Sequence, residues 1–157
     1  MLNKIDRYLS HHPVDPQLRG VKRFFTEFLF FGLKEMRACL FAGLFFIAMF
    51  LTPKAGIFGI PRYDVLLIFA VALQAIMFYT KFETLDEIKS ITLFHLVGFV
   101  LEVFKTSSSI QSWAYPDFAY TKVLGVPLFT GFMYAAVGSY IIQAWRLFDL
   151  KIHSHPP

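Results

Sequence analysis

Where the charges fall constrains this chain more than any other feature. Ala38 to Pro53 and Val65 to Thr80 each run 16 residues without Asp, Glu, Lys or Arg, Val123 to Trp145 runs 23, and Ser90 to Leu101 runs 12. A surface helix in water keeps a charged or polar face, whereas a bilayer core excludes charge. A 16-residue helix reaches about 24 Å of a hydrocarbon core about 30 Å thick, so its flanks must complete the crossing. Arg37 and Lys54 bracket the first stretch, Asp64 and Lys81 the second, and Arg146 closes the last, where long side chains are expected to snorkel.

Composition points the same way. The chain is 56% apolar and 17% charged, against about 45–50% and about 25% in ordinary soluble domains. Its mean hydropathy is +0.54. Twenty Phe, seven Tyr and two Trp exclude a disordered chain. The net charge of +4 is gathered near the N-terminus instead of forming a nucleic-acid surface. Cys39 is the single cysteine, which excludes an intrachain disulfide and a Cys-rich metal framework. A soluble protein with four buried helices is the competing class, and these numbers disfavour it.

The reading is therefore an all-α, polytopic membrane helix bundle. About four transmembrane helices lie near 36–53, 64–80, 88–104 and 123–146, within a helical domain over 21–150. Residues 1–20 and 151–157 read as cytoplasmic tails. Arg23, Glu27 and Lys34 share one helical stripe, giving an N-terminal amphipathic helix that is either interfacial or the wet end of a long first span. Asp64 reads as a cap for the second span, and Pro127 falls near the start of the fourth, where its missing N–H matters least. With an even number of crossings, nine Lys and Arg lie on the side of the termini and four on the other. Both termini are then cytoplasmic, with the chain in the cell inner (plasma) membrane, its partner the lipid bilayer. Met1 to Ser10 lack the apolar core of a cleavable signal peptide. His11, His12 and the final His153 to Pro157 read as mobile tails without a metal site.

Glu102 is the leading candidate for chemistry, since a carboxyl inside an apolar span must face protein or water. Its bland alternative is an interfacial pair with Lys105 at i, i+3. The following stretch supplies Trp113, Tyr115, Pro116 and Asp117. These are either an aromatic belt at headgroup level or a folded turn that returns over Glu102 and shields it from water, a setting that suits a proton donor. Glu102, with Trp113, Tyr115 and Asp117 in the turn that follows it, is thus the segment singled out for chemistry. His95, Gln74, Tyr134 and Tyr140 are candidates for a polar pocket, with His95 more simply a core histidine bonded to a neighbouring helix. Gly131, Ala135 and Ser139 recur every four residues, a spacing that allows close helix approach. No phosphate loop, zinc-helix motif, nucleophile elbow or dinucleotide fingerprint is present, so no metal or cofactor is expected.

The stretch from Gly98 to Asp149 resembles the domain of unknown function 817 family of bacterial integral membrane proteins, through EVFK at Glu102 to Lys105, SWAYP at Ser112 to Pro116, GVPL at Gly125 to Leu128 and GFMYAAVGSY at Gly131 to Tyr140. That resemblance implies a second membrane half with its own Glu and Trp-x-Tyr-Pro-like element. This chain then looks like an N-terminal half, completed by a homodimer or a second-half partner chain. The order Glu, spacer, Trp/Tyr-rich turn and Gly-Val-Pro also loosely resembles membrane carotenoid hydratases. By that resemblance Glu102 protonates a polyene, Trp113 and Tyr115 stabilise the cation and Asp117 orients water. Three functions stay open: an enzyme acting on a lipid-soluble isoprenoid-like substrate, half of a small-solute transporter, or a non-catalytic membrane assembly protein.

Overall fold

The computed structural model describes residues 3–11 and 15–151, most of them helical. In chain order they form α1 (Lys4–His11), α2 (Gly20–Ala38), α3 (Leu40–Leu51), α4 (Arg62–Tyr79), α5 (Leu85–Thr106), a hairpin of β1 (Lys122–Val123) and β2 (Val126–Pro127), and α6 (Thr130–Leu147). The all-α expectation holds apart from this short hairpin. Length and composition single out one described helix, α4, as able to cross a membrane; α3 is apolar but has 12 residues.

Two segments depart from the sequence reading. Residues 4–11 are a docked helix instead of a tail, because Asp6 and Leu9 face inward and are buried. His11 is the exposed last residue of that helix, while His12 and His153 to Pro157 lie outside the described residues. The charge-free run from Val123 also does not open as a helix. Leu124 and Gly125 both adopt positive φ, 53° and 80°, the geometry of a two-residue hairpin turn. Val123 pairs with Val126 and Lys122 with Pro127, and α6 starts only at Thr130.

The amphipathic helix α2 runs almost directly into α3. Cys39 interrupts them, yet its N–H reaches the Glu35 carbonyl at 2.8 Å and its carbonyl accepts from Gly43 at 2.7 Å, so helical hydrogen bonding continues across the break. Helix α5 opens on a capping box in which Thr84 and Glu87 exchange side-chain and backbone bonds.

The most extensive helix pairing is α5 against α6, and glycines permit it. A Cβ on Gly98 would sit 2.4 Å from the Tyr134 Cβ, and one on Gly138 2.7 Å from the Phe94 ring. The core itself joins Phe41 and Phe45 of α3, Leu66, Ala70 and Met77 of α4, and Ala136 of α6.

Several polar side chains lie inside beside this apolar core, and many large apolar ones lie outside. Asp6, Arg37, Asp64, Glu83, Glu102, Ser139 and Gln143 are buried, while Phe50, Ile68, Leu93, Val100 and Phe104 are exposed.

Candidate functional site

Glu102 lies one turn before the end of α5 and is 2% exposed. Both of its oxygens are taken by neutral donors. Tyr115 Oη donates to Oε2 at 2.7 Å and Trp113 Nε1 to the same oxygen at 3.0 Å, while Tyr134 Oη donates to Oε1 at 2.7 Å. Lys105 does not pair with Glu102 directly; its Nζ donates to Tyr134 Oη at 2.9 Å. A two-bond chain therefore leads from the half-buried ammonium through the phenol to the buried carboxyl. The same ammonium lies 5.1 Å from the Trp113 ring centre and 5.4 Å from that of Tyr134, within cation–π range.

Several anchors bring the loop back over Glu102. The chain reverses after α5, where Ile110 and Gln111 N–H groups both reach the Ser107 carbonyl and Ser112 N–H reaches Lys105. Lys122 Nζ then holds the Tyr115 carbonyl at 2.6 Å. Asp64, read from sequence as a cap for its own helix, serves the loop instead. Pro61 occupies the cap position of α4, leaving the Asp64 carboxylate free to accept from the N–H groups of Tyr120 and Thr121 at 2.8 and 3.0 Å and from the Thr121 hydroxyl. Tyr63 meets the Tyr115 ring edge-on and stacks on Phe129. Burial, followed by the bond to Glu102, pushes the Tyr115 phenol well above the ordinary tyrosine range.

Of the catalytic candidates, Glu102, Trp113 and Tyr115 therefore converge and Asp117 does not. Asp117 lines a separate surface cavity with Lys54, Arg62 and Phe118; two residues beyond Tyr115, the chain has already turned toward the anchored Tyr120 and Thr121. The pocket candidates also divide. Tyr134 belongs to the Glu102 cluster, Gln74 donates to Glu83, and Tyr140 donates to Glu35 at 3.2 Å. The His95 ring packs 4.5 Å from Phe132, centre to centre, and against Gly131; its Nδ1 is buried without a partner, so the expected bond to a neighbouring helix is missing at that nitrogen.

A family profile described as a protein of unknown function (DUF817) matches residues 27–157. The chain belongs to this family. It is also similar to the uncharacterized protein YoaT of Bacillus subtilis (strain 168), 42% identical over 139 residues that make up 88% of this chain and 50% of that protein. This DUF817 chain thus spans about half the length of the curated relative it matches. No solved structure matches it.

The DUF817 chain holds a second buried polar cluster that sequence reasoning missed. Asp6 on α1 accepts from Arg37 through two nitrogens at 2.8 and 3.0 Å, and from Arg146 at 2.8 Å. Both guanidiniums also donate to the Phe82 carbonyl. Arg146 reaches Glu87 and Gln143 at 2.5 Å each. Arg37 and Arg146, read as snorkelling flanks, instead turn inward because a buried carboxylate awaits them. No local pattern announces this: Asp6 and Arg37 are 31 positions apart, Asp6 and Arg146 140. Among the described residues no group of three or more His, Cys, Asp or Glu is placed to hold a metal ion.

Proposed function

We propose that this chain is a multi-pass integral membrane protein of the cell inner membrane, and that Glu102 is the proton donor of an acid centre acting on a lipid-soluble, isoprenoid-like substrate. The observation that carries the chemistry is the line Lys105 Nζ, Tyr134 Oη, Glu102 Oε1, with bonds of 2.9 and 2.7 Å. It connects a carboxyl that is 2% exposed to a half-buried cation. Support for the membrane comes from buried acids and arginines beneath a surface of exposed Phe, Leu, Ile and Val, the arrangement that hydrocarbon favours and water penalises.

In the proposed reaction the Glu102 proton forms a C–H bond at one carbon of an alkene. Water adds to the cationic carbon left behind, and its surplus proton leaves to solvent. Lys105 passes a proton through Tyr134 to the Glu102 carboxylate and is itself reprotonated from solvent, so the centre returns to its starting state. Asp117 takes no part, since it lines a surface cavity with Lys54 and Arg62, away from the donors that meet Glu102. The Trp113 face is already shared with the Lys105 ammonium, so Trp113 serves here as a hydrogen-bond donor to Glu102. The transporter reading has less support, because Gln74, His95, Tyr134 and Tyr140 belong to different clusters.

A second reading, a non-catalytic clamp, is favoured by the fact that both Glu102 oxygens are already satisfied. One comparison separates the two. Cells expressing Glu102→Gln at wild-type level are expected to lose a hydroxylated lipid or pigment species found with the wild type, and Lys105→Met to diminish it. Identical extracts from all three strains would overturn the acid centre and leave the clamp.

A further inference from the structure

Glu83 ends the turn between α4 and α5 and is 1% exposed. Neutral groups hold it: Gln74 Nε2 donates to Oε2, and Ser139 Oγ donates to Oε1 at 2.7 Å. The nearby cations are engaged elsewhere, Arg37 with Asp6 and Arg146 with Asp6 and Glu87. The charges around Glu83 come from every element packed there. Helix α1 brings Asp6, α2 brings Arg37, the first turn of α5 brings Glu87, α6 brings Arg146, and Lys81 is exposed on the turn itself; Glu35 of α2 lies further off, under Tyr140. Three acids thus face two guanidiniums in the interior. With every group ionised the cluster carries an uncompensated negative charge, which burial makes costly. One proton removes it, and Glu83 is the acid that no guanidinium bonds.

Gln74 Oε1 is buried without a partner, as is Arg37 Nη1. A half-turn of the Gln74 amide exchanges its nitrogen for its oxygen. Oε1 then faces Glu83 Oε2, a contact that is attractive only when Glu83 has a hydrogen to donate.

We propose that Glu83 is a proton-binding site, its proton shared with the Gln74 amide oxygen and exchanged with water through the adjoining cavity of about 440 Å³ lined by Tyr79, Lys81, Glu83 and Thr84. On release the Glu83 O–H bond breaks, the proton passes to water and the carboxylate keeps the electron pair. Arg37, whose charge already acts on Glu83, then has a second anion competing with Asp6 for its guanidinium, so release loosens the hold on α1. Burial, ahead of every other influence, keeps the Glu83 carboxyl above the ordinary carboxylate range. This site is separate from Glu102 and stands whether or not the acid centre does.

Infrared difference spectra of the full chain in detergent, recorded between acidic and alkaline pH, test it. In a Glu102→Gln background, which removes the other buried candidate acid, the chain is expected to show a protonated-carboxyl band that disappears as pH rises, and adding Glu83→Gln abolishes it. Ser139→Ala removes a donor to the ionised form and moves the midpoint upward by about one pH unit. A Glu102→Gln chain with no such titrating band, a band that survives the added Glu83→Gln, or an unmoved midpoint in Ser139→Ala would each overturn the assignment. Should Glu83→Gln fail to fold, the Ser139→Ala shift decides alone.

Discussion

A buried carboxyl with three neutral donors makes opposite demands on its two simplest substitutions. Glu102→Gln keeps an amide oxygen for Trp113 and Tyr115 and offers an N–H to Tyr134, which can turn its hydroxyl to accept. Glu102→Ala leaves those donors facing a void. At about 1–3 kcal/mol for an unsatisfied buried group, and with Trp113 partly exposed, the alanine variant is expected to lose about 2–4 kcal/mol and the glutamine variant much less. Thermal unfolding of both in the same detergent checks the contrast; equal losses would mean that the bonds to Glu102 contribute little. Tyr115 adds a pH signature. Its phenol is pushed up by burial and then by Glu102, so the folded state favours the protonated form. Its contribution to stability is complete below the ordinary tyrosine value and is lost as pH rises through the raised one. Phenolate absorbance of the wild type minus Tyr115→Phe should show this tyrosine ionising only above the ordinary tyrosine range. At this scale the Glu102 cluster was legible because Trp113 and Tyr115 follow within 13 positions in a segment rich in turn formers. The Asp6 cluster was not, since its bonds join residues from opposite ends of the chain.

At the scale of elements, the pairing of α5 and α6 depends on backbones that approach too closely for a Cβ. Gly98→Ala would place a methyl group 2.4 Å from Tyr134 Cβ. The helices must part or Tyr134 must shift, and overpacking of this kind typically costs about 1–3 kcal/mol. Because Tyr134 also connects Lys105 to Glu102, the substitution should weaken the proposed acid centre along with the fold. Gly43 is the control: a Cβ there meets nothing within 4 Å, so Gly43→Ala should be neutral or stabilising by up to about 1 kcal/mol. Unfolding of the two variants side by side checks this, and a comparable loss in both would refute the close-packing account. Small residues in α6 were visible in the sequence, though the glycine that matters most opposite Tyr134 lies on α5, outside that pattern. The start of α6 was hidden for a different reason. A run without charges does not distinguish a helix from a buried hairpin, and Leu124 and Gly125 decide it through backbone conformation alone.

For the whole molecule, the two polar clusters mark opposite ends of one bundle. Asn3 Nδ2 donates to the Thr80 carbonyl at 2.7 Å, and Asp6 draws in Arg37 and Arg146, so the region of α1, the junction of α4 and α5, and the end of α6 meet at one end. At the other, Arg62 holds the Met49 carbonyl and Asp64 holds the loop after α5. Helices that alternate between these ends, with an apolar surface between them, give an even number of crossings if the solvent there is lipid. The proposed orientation, taken from the basic residues flanking the termini, puts the first end toward the cytoplasm. Orientation is readable with a thiol reagent that cannot cross membranes. In a Cys39→Ala background, Phe58→Cys, fully exposed beyond α3, should react in intact cells. Lys89→Cys, exposed near the start of α5, should react only after permeabilisation. The reverse pattern would invert the orientation, and equal reactivity at both positions in intact cells would mean that α5 does not begin on the side of the membrane opposite Phe58, which removes the premise for treating the burial of Glu102 as burial within a bilayer.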